Sequence, residues 1–135
     1  MKAHMIIAAL TLVGLPAWAG DAAKGEADFN KCKACHSIVA DDGTAIVKGG
    51  KTGPNLYGVI GRPVASVADF KYGDGILAAG ATGAVWDEAS LALYVADPAA
   101  WLQGITGDAG AKSKMSFKLA AGGEDVAAYL ASLKP

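Results

Sequence analysis

The chain has 135 residues, 53% of them hydrophobic and 19% charged, with 12 Lys and Arg against 13 Asp and Glu. That is the material of one domain, with no room for a second large lobe, and a formal net charge of -1 excludes the strongly basic profile of a dedicated nucleic-acid binder. Eighteen Gly and a mean hydropathy of +0.31 fit a loop-rich globular chain rather than a disordered one.

The first elements belong to targeting. Met1-Lys2-Ala3-His4 makes a short positive start, Met5 to Leu15 is an apolar run, and Pro16 precedes the small-x-small triplet Ala17-Trp18-Ala19. This pattern predicts a secretory signal peptide over residues 1–19 and a mature domain over residues 20–135. The apolar run is well short of the ~20 residues a membrane span needs, and no later stretch is long and apolar enough. The expectation is therefore an exported, soluble, periplasmic protein with no stable membrane insertion. The leader takes Lys2 with it, leaving 11 basic and 13 acidic side chains and a formal charge of -2. It also takes His4, Met1 and Met5, so the mature chain keeps one His (His36), one Met (Met115) and two Cys (Cys32, Cys35).

Asp21 to Asn30 reads as a short helix with Asp21 as its N-cap and Lys31 and Lys33 after its end. Gly25 and Phe29, four apart, share one face. The middle of the chain is punctuated by Gly49-Gly50, Gly53-Pro54, Gly58, Gly61, Arg62-Pro63, Gly73 and Gly75, which predicts long loops, and strand signals are weak. A second helix is predicted from Asp87 to Ala96, capped by Asp87, with Leu91, Tyr94 and Val95 facing inward and Pro98 ending it. A third opens at Glu124-Asp125 and runs to about Lys134, with Val126, Tyr129, Leu130 and Leu133 forming an apolar stripe. The predicted fold class is all-α, with helices at both ends and long loops packed on a large apolar cofactor.

Cys32-Lys33-Ala34-Cys35-His36 is C-x-x-C-H, the attachment signature of c-type haem. One turn of helix sets two thiols to form thioethers with one porphyrin, and the adjacent imidazole addresses the iron. Structural zinc needs four Cys or His ligands, one more than the mature chain holds. A redox dithiol belongs near a βαβ pattern, which is missing. A disulfide between cysteines three apart constrains too little chain to be the purpose of the motif. The expected cofactor is one covalent haem c, with His36 as an axial iron ligand. Met115, the only remaining soft ligand, sits among Lys and Ser rather than on an apolar stripe and is the expected sixth ligand. His/Met ligation raises the reduction potential and leaves no open coordination position, which points to electron transfer and not to an enzyme.

With these motifs in hand, the mature chain resembles the class I cytochromes c over essentially its whole length, and most closely the bacterial cytochrome c2 group. The haem motif lies near the mature N-terminus. Lys51-Thr52-Gly53-Pro54-Asn55-Leu56-Tyr57-Gly58-Val59-Ile60-Gly61-Arg62 looks like the family's loop after that motif, and Lys114-Met115-Ser116-Phe117 looks like its methionine-ligand loop. The resemblance implies the class I cytochrome c fold, with terminal helices crossing at Gly25, Phe29, Tyr129 and Leu130. It implies that the Pro54 carbonyl accepts a hydrogen bond from His36, which fixes the imidazole tautomer. It also implies that Arg62, Tyr72 and Trp86 surround the haem propionates and that Tyr94 packs near the sulfur ligand. The chain departs from the shorter mitochondrial pattern by extra residues around Asp41 to Gly50 and Ile105 to Ala111, and by Trp101 where that pattern favours Tyr.

Charge placement suggests a docking face. Lys31 and Lys33 flank the haem motif, Lys48 and Lys51 lead into the Pro54 loop, and Lys112, Lys114 and Lys118 surround Met115. The acidic residues lie mainly elsewhere: Asp21, Glu26 and Asp28, then Asp87 and Glu88, then Glu124 and Asp125. By the resemblance, the chain is a monomeric carrier of single electrons from a cytochrome bc complex to a photosynthetic reaction centre or terminal oxidase. The rival readings are a haem protein with an open iron, acting as a peroxidase or gas binder, and an exported thiol oxidoreductase.

Overall fold

A computed structural model describes residues 20–135 of the chain, so the predicted signal segment, residues 1–19, lies outside the described residues. The first helix, α1 (Ala22–Asp28), starts where the sequence predicts, because the Asp21 carboxylate accepts from the Ala23 and Lys24 backbone N–H groups. A 3-10 turn, Phe29–Lys31, continues it into the cysteine motif. There follow a small hairpin, β1 (Ile38–Val39) with β2 (Ala45–Val47), and then α2 (Asp74–Ala81), α3 (Glu88–Ala96), α4 (Pro98–Thr106) and α5 (Gly123–Ala131).

Several of these differ from the sequence reading. The second strand of the hairpin falls in the extra residues around Asp41 to Gly50, and the first lies just before them. The hairpin pairs Ile38 with Val47 and Val39 with Ala45 across a bulge, and strands of two and three residues are too short for an alternating pattern to register. Helices α2 and α4 occupy stretches that read as loop. Helix α2 carries two glycines and begins after Gly73, which offers no side-chain cap. Helix α4 begins at the proline that ends α3. Pro98 lacks the N–H an interior helix position needs but suits the first position of the next helix, and the Asp97 carboxylate caps that helix by accepting from Ala100. The last helix stops at Ala131 and not near Lys134, although Leu133 still packs on the core.

The helices pack in a chain of neighbours: α1 on α5, α5 on α3, α3 on α4, and α4 on α2. The crossing of α1 and α5 is the tightest. A Cβ on Gly25 would run into the Asp125 carbonyl and approach the Tyr129 Cβ to 2.9 Å, so only glycine lets the two backbones come this close. Phe29 stands 5.8 Å from Tyr129, ring centroid to centroid. Asp125 fastens the crossing from outside: its carboxylate accepts from the Asp21 N–H at 2.8 Å and pairs with Lys24 at 3.1 Å. Those two partners, the backbone N–H first, hold the carboxyl below the usual carboxylate range. Apolar burial dominates, at ~1.5–3 kcal/mol per fully buried large side chain. Phe29, Val126 and Leu130 are all at most 2% exposed, as is Leu102 of α4, whereas Lys24 remains 65% exposed and its ion pair contributes far less.

One added methyl group should therefore have opposite effects at two helical glycines. Gly25→Ala should destabilise the folded protein by ~2 kcal/mol or more through overpacking. Gly104→Ala, in α4 where an added Cβ meets nothing within 4 Å, should stabilise it by ~0.5–1 kcal/mol. Thermal melts of the two variants check this, and midpoints moving in the same direction would refute the close approach at Gly25.

Candidate functional site

The cysteine motif is a single helical turn. The His36 N–H donates to the Cys32 carbonyl at 2.9 Å, and the Cys35 N–H donates to the same oxygen at 3.2 Å. Both thiols are free, Cys32 half-buried and Cys35 exposed, and burial pushes the Cys32 thiol up, against the pull of Lys31.

Behind the motif runs the segment from Gly49 to Pro54, and it lies close because its glycines permit it. A Cβ on Gly49 would collide with the His36 carbonyl, and one on Gly50 with the Ala34 carbonyl. A Cβ on Gly53 would enter the His36 ring itself, with Nδ1 only 2.6 Å away. Two backbone bonds stitch the pair together, Gly50 N–H to the Lys33 carbonyl at 2.9 Å and Gly53 N–H to the Cys35 carbonyl at 2.7 Å. The sequence reading treats these glycines as loop punctuation. Their spacing opposite a rigid turn is the signal that would have marked them as contact positions.

His36 Nδ1 lies 2.8 Å from the Pro54 carbonyl oxygen. A carbonyl only accepts, so Nδ1 carries the proton and donates, which leaves the Nε2 lone pair free. Burial lowers the imidazole pKa, opposed by the Pro54 carbonyl, so the ring is held neutral as a donor to a metal must be.

The Pro54 loop is anchored in turn. Asn55 bonds both backbone groups of Val39, accepting at 3.0 Å and donating at 2.8 Å, and also accepts from the Tyr57 N–H. The Arg62 guanidinium donates to the Asn55 and Tyr57 carbonyls, and burial lowers its pKa. Tyr72 packs edge-on against Phe70 at 4.8 Å, and its hydroxyl accepts from the Val67 N–H. Trp86 is joined to the Arg62 segment by the bond from its N–H to the Arg62 carbonyl. It is buried, stacked on Trp101 at 4.8 Å and tilted against Tyr94 at 5.1 Å. Trp101, noted in the sequence only as a departure from the mitochondrial pattern, is thus a full member of this aromatic cluster.

Met115 is half-buried and packs against the hydrophobic core. Its N–H donates to the Ser113 hydroxyl at 3.1 Å. Ser113 also hydrogen-bonds the Tyr94 hydroxyl, and burial raises the pKa of that phenol. Ser113 therefore ties the Met115 segment to α3, a role the sequence reading missed because an isolated serine in a loop carries no pattern.

Lys31, Lys33, Lys51, Lys112, Lys114 and Lys118 are all exposed. Two acids nevertheless reach this face: Asp97, and Asp28, which the sequence reading places elsewhere. Lys118 pairs with Asp97 at 3.0 Å, because the carboxylate that caps α4 is also within its reach. Lys31 lies 4.0 Å from Asp28, three residues earlier in the same helical run.

These groups fit a covalently held porphyrin. Two free thiols and a neutral imidazole with an available Nε2 sit on one turn, and the missing Cβ of Gly53 leaves space for the imidazole ring. Among the described residues no group of three or more His, Cys, Asp or Glu side chains is placed to hold a metal ion without further donors, and no helix is long and apolar enough to cross a membrane.

Comparison with models of known protein families finds no match. Individual proteins do match. The chain is 62% identical over 127 residues to cytochrome c2 of Rhodobacter capsulatus, spanning 94% of this chain and 92% of that protein. It is 61% identical over 136 residues to cytochrome c-550 of Paracoccus versutus, spanning 98% and 88% respectively. The X-ray structure of ferric cytochrome c-550 from Paracoccus versutus superposes with a TM-score of 0.83 at 62% identity, covering 86% of this chain and 99% of that one.

The contact between Gly53 and His36 should be visible in the imidazole proton. In the holoprotein, Gly53→Ala should speed solvent exchange of the His36 Nδ1–H by on the order of ten-fold or more, since overpacking of this kind costs ~1–3 kcal/mol. Proton NMR of the two proteins checks it; an unchanged exchange rate would mean the ring is not confined by this backbone.

Proposed function

The chain belongs to the class I c-type cytochromes, in their cytochrome c2 group, and from that premise we propose that it shuttles single electrons through the periplasm between membrane complexes. As a member of that group it carries one covalently attached haem c and is an electron carrier. The proposed donor is a cytochrome bc complex, and the proposed acceptor a photosynthetic reaction centre or terminal oxidase. In this reading Cys32 and Cys35 are the thioether attachment residues, and His36 and Met115 are the axial ligands.

The observation that carries the reading is the bond between His36 and Pro54. It leaves one ring nitrogen protonated and the other unprotonated, on the same turn as two free thiols. Haem c supplies a one-electron ferrous–ferric couple. The residues around it supply the rest. His36 is oriented before it binds, so its imidazole need not reorganise. Met115 would supply a soft thioether, which would favour the reduced state and raise the potential. Trp86, Tyr94 and Trp101 form a packed, largely dry wall, and burial of this kind is a further lever on the potential. Arg62, already spanning two carbonyls of the Pro54 loop, would offer its remaining donors to carboxylates, with Tyr72 near enough to feel its charge. With His36 and Met115 both holding the iron, no place would be left there for a substrate.

The exposed lysines would set partner choice. A basic rim attracts an acidic docking surface and orients the encounter, with a reach of ~8–10 Å near physiological ionic strength. Lys33, Lys51, Lys112 and Lys114 have no side-chain ion partner among the described residues, so they carry more of this role than Lys118.

A reduced-minus-oxidised spectrum with a carbon monoxide challenge tests cofactor and ligation together. The reduced wild-type protein should show covalently retained haem and bind no carbon monoxide at neutral pH. Met115→Ala should bind it and have a lower reduction potential. Carbon monoxide binding by the wild type would instead favour an open-iron protein. For the docking face, Lys33→Glu should slow electron transfer to an acidic redox partner at low salt, with the difference shrinking as salt is added. Rates and salt slopes identical to wild type would remove Lys33 from that face.

A further inference from the structure

We propose that Gly75 is a positioning residue for Met115, and that its bare Cα is the seat on which the methionine loop closes. The proposal rests on the reading of Met115 as the sixth iron ligand. Gly75 lies in the first turn of α2, and a Cβ there would run into the Lys112 carbonyl oxygen, three residues before Met115. The same Cβ would stand 3.2 Å from Leu102 Cδ1 and 3.4 Å from the Lys112 carbonyl carbon. Leu102 is completely buried in α4, so that wall cannot yield. The backbone of the methionine loop must therefore give way, or nothing does.

The remainder of the segment is held at separate points. The Ala111 N–H donates to the Asp108 carbonyl at 3.1 Å, and the Ala111 carbonyl accepts from the Gln103 side chain at 3.3 Å. Ser113 holds Met115 to Tyr94. Between Ala111 and Ser113, the support for Lys112 is the face of Gly75. Beside this contact a cavity of about 440 Å³ opens between α2 and the loop, lined by Asp74, Ala78, Thr106 and Lys114 among others. A displaced Lys112 has that space to enter. A side chain at position 75 thus lifts the loop off its seat without requiring the core to unfold.

Gly73 provides the internal comparison. A Cβ there would come 3.0 Å from Lys114 Cγ and 3.3 Å from its Cδ, but those atoms belong to an exposed, flexible stem that can swing aside.

The test uses ferric holoprotein and imidazole as the probe. Imidazole reaches the iron only when Met115 is off, so its apparent affinity is its intrinsic affinity multiplied by the fraction of protein in that open state. Gly75→Ala should raise the affinity by about ten-fold or more, the scale of an overpacking penalty. Gly73→Ala should leave it close to wild type, and Gly104→Ala should leave it unchanged. Absorption from the sulfur–iron bond should weaken in Gly75→Ala in parallel with the affinity gain. In a Met115→Ala background the open fraction is already complete, so adding Gly75→Ala should change nothing further.

The outcomes separate the two ideas. If Met115→Ala fails to raise imidazole affinity, the ligand assignment is wrong. If Met115→Ala raises it but Gly75→Ala matches wild type, the seat is wrong and the ligand stands. An equal gain from Gly75→Ala with and without Met115 would show general loosening and also overturn the seat. Should Gly75→Ala not fold, Gly75→Ala/Leu102→Val carries the same test, because Leu102→Val removes the methyl group nearest the added Cβ. Failure of both to fold overturns the proposal, since Gly75 would then be a core-packing position only.

Discussion

A single hydrogen bond, from His36 Nδ1 to the Pro54 carbonyl, is the constraint around which the rest of the site is organised. It decides which nitrogen of the ring bears the proton and therefore which keeps a free lone pair. It demands that Pro54 lie against the cysteine turn, which in turn demands glycine at 49, 50 and 53, where any Cβ would strike the motif. Asn55 and Arg62 then keep the loop from moving away, the first by gripping both backbone groups of Val39, the second by bridging two carbonyls. The small hairpin gains a purpose here, because its first strand presents Val39 to Asn55.

The opposite wall is built by different means. The Pro54 side uses backbone bonds and glycine contacts, whereas the Met115 side uses aromatic packing. Trp86, Tyr94 and Trp101 lie within 5.6 Å of one another by ring centroids, and Ser113 links Tyr94 to the Met115 segment. The imidazole is thus held by direct backbone contacts, and the methionine segment by a link through a loop serine.

Much of this was legible in the sequence. The cysteine motif, the terminal helices and the lone methionine are strong signals, because each is a pattern that few other arrangements of those residue types satisfy. Asp21 and Asp87 could be read as caps because a carboxylate before an apolar-periodic run has one obvious use. Helices α2 and α4 were not legible, since one is glycine-rich and uncapped and the other begins at a proline that reads as a stop. The roles of Gly53, Gly75 and Ser113 were equally hidden. A glycine shows nothing of what it faces, and a serine in a loop shows nothing of what it bonds; both are defined by partners distant along the chain.

The crossing of α1 and α5 joins Asp21 to Asp125, 104 positions apart. A polypeptide released from a ribosome or threaded through a pore N-terminus first therefore cannot close this crossing until its last helix has emerged. Until then α1 lacks the neighbour that pins it, and the cysteine turn that continues α1 has no fixed place to stand. The order of emergence thus leaves the shutting of the terminal crossing to the final helix.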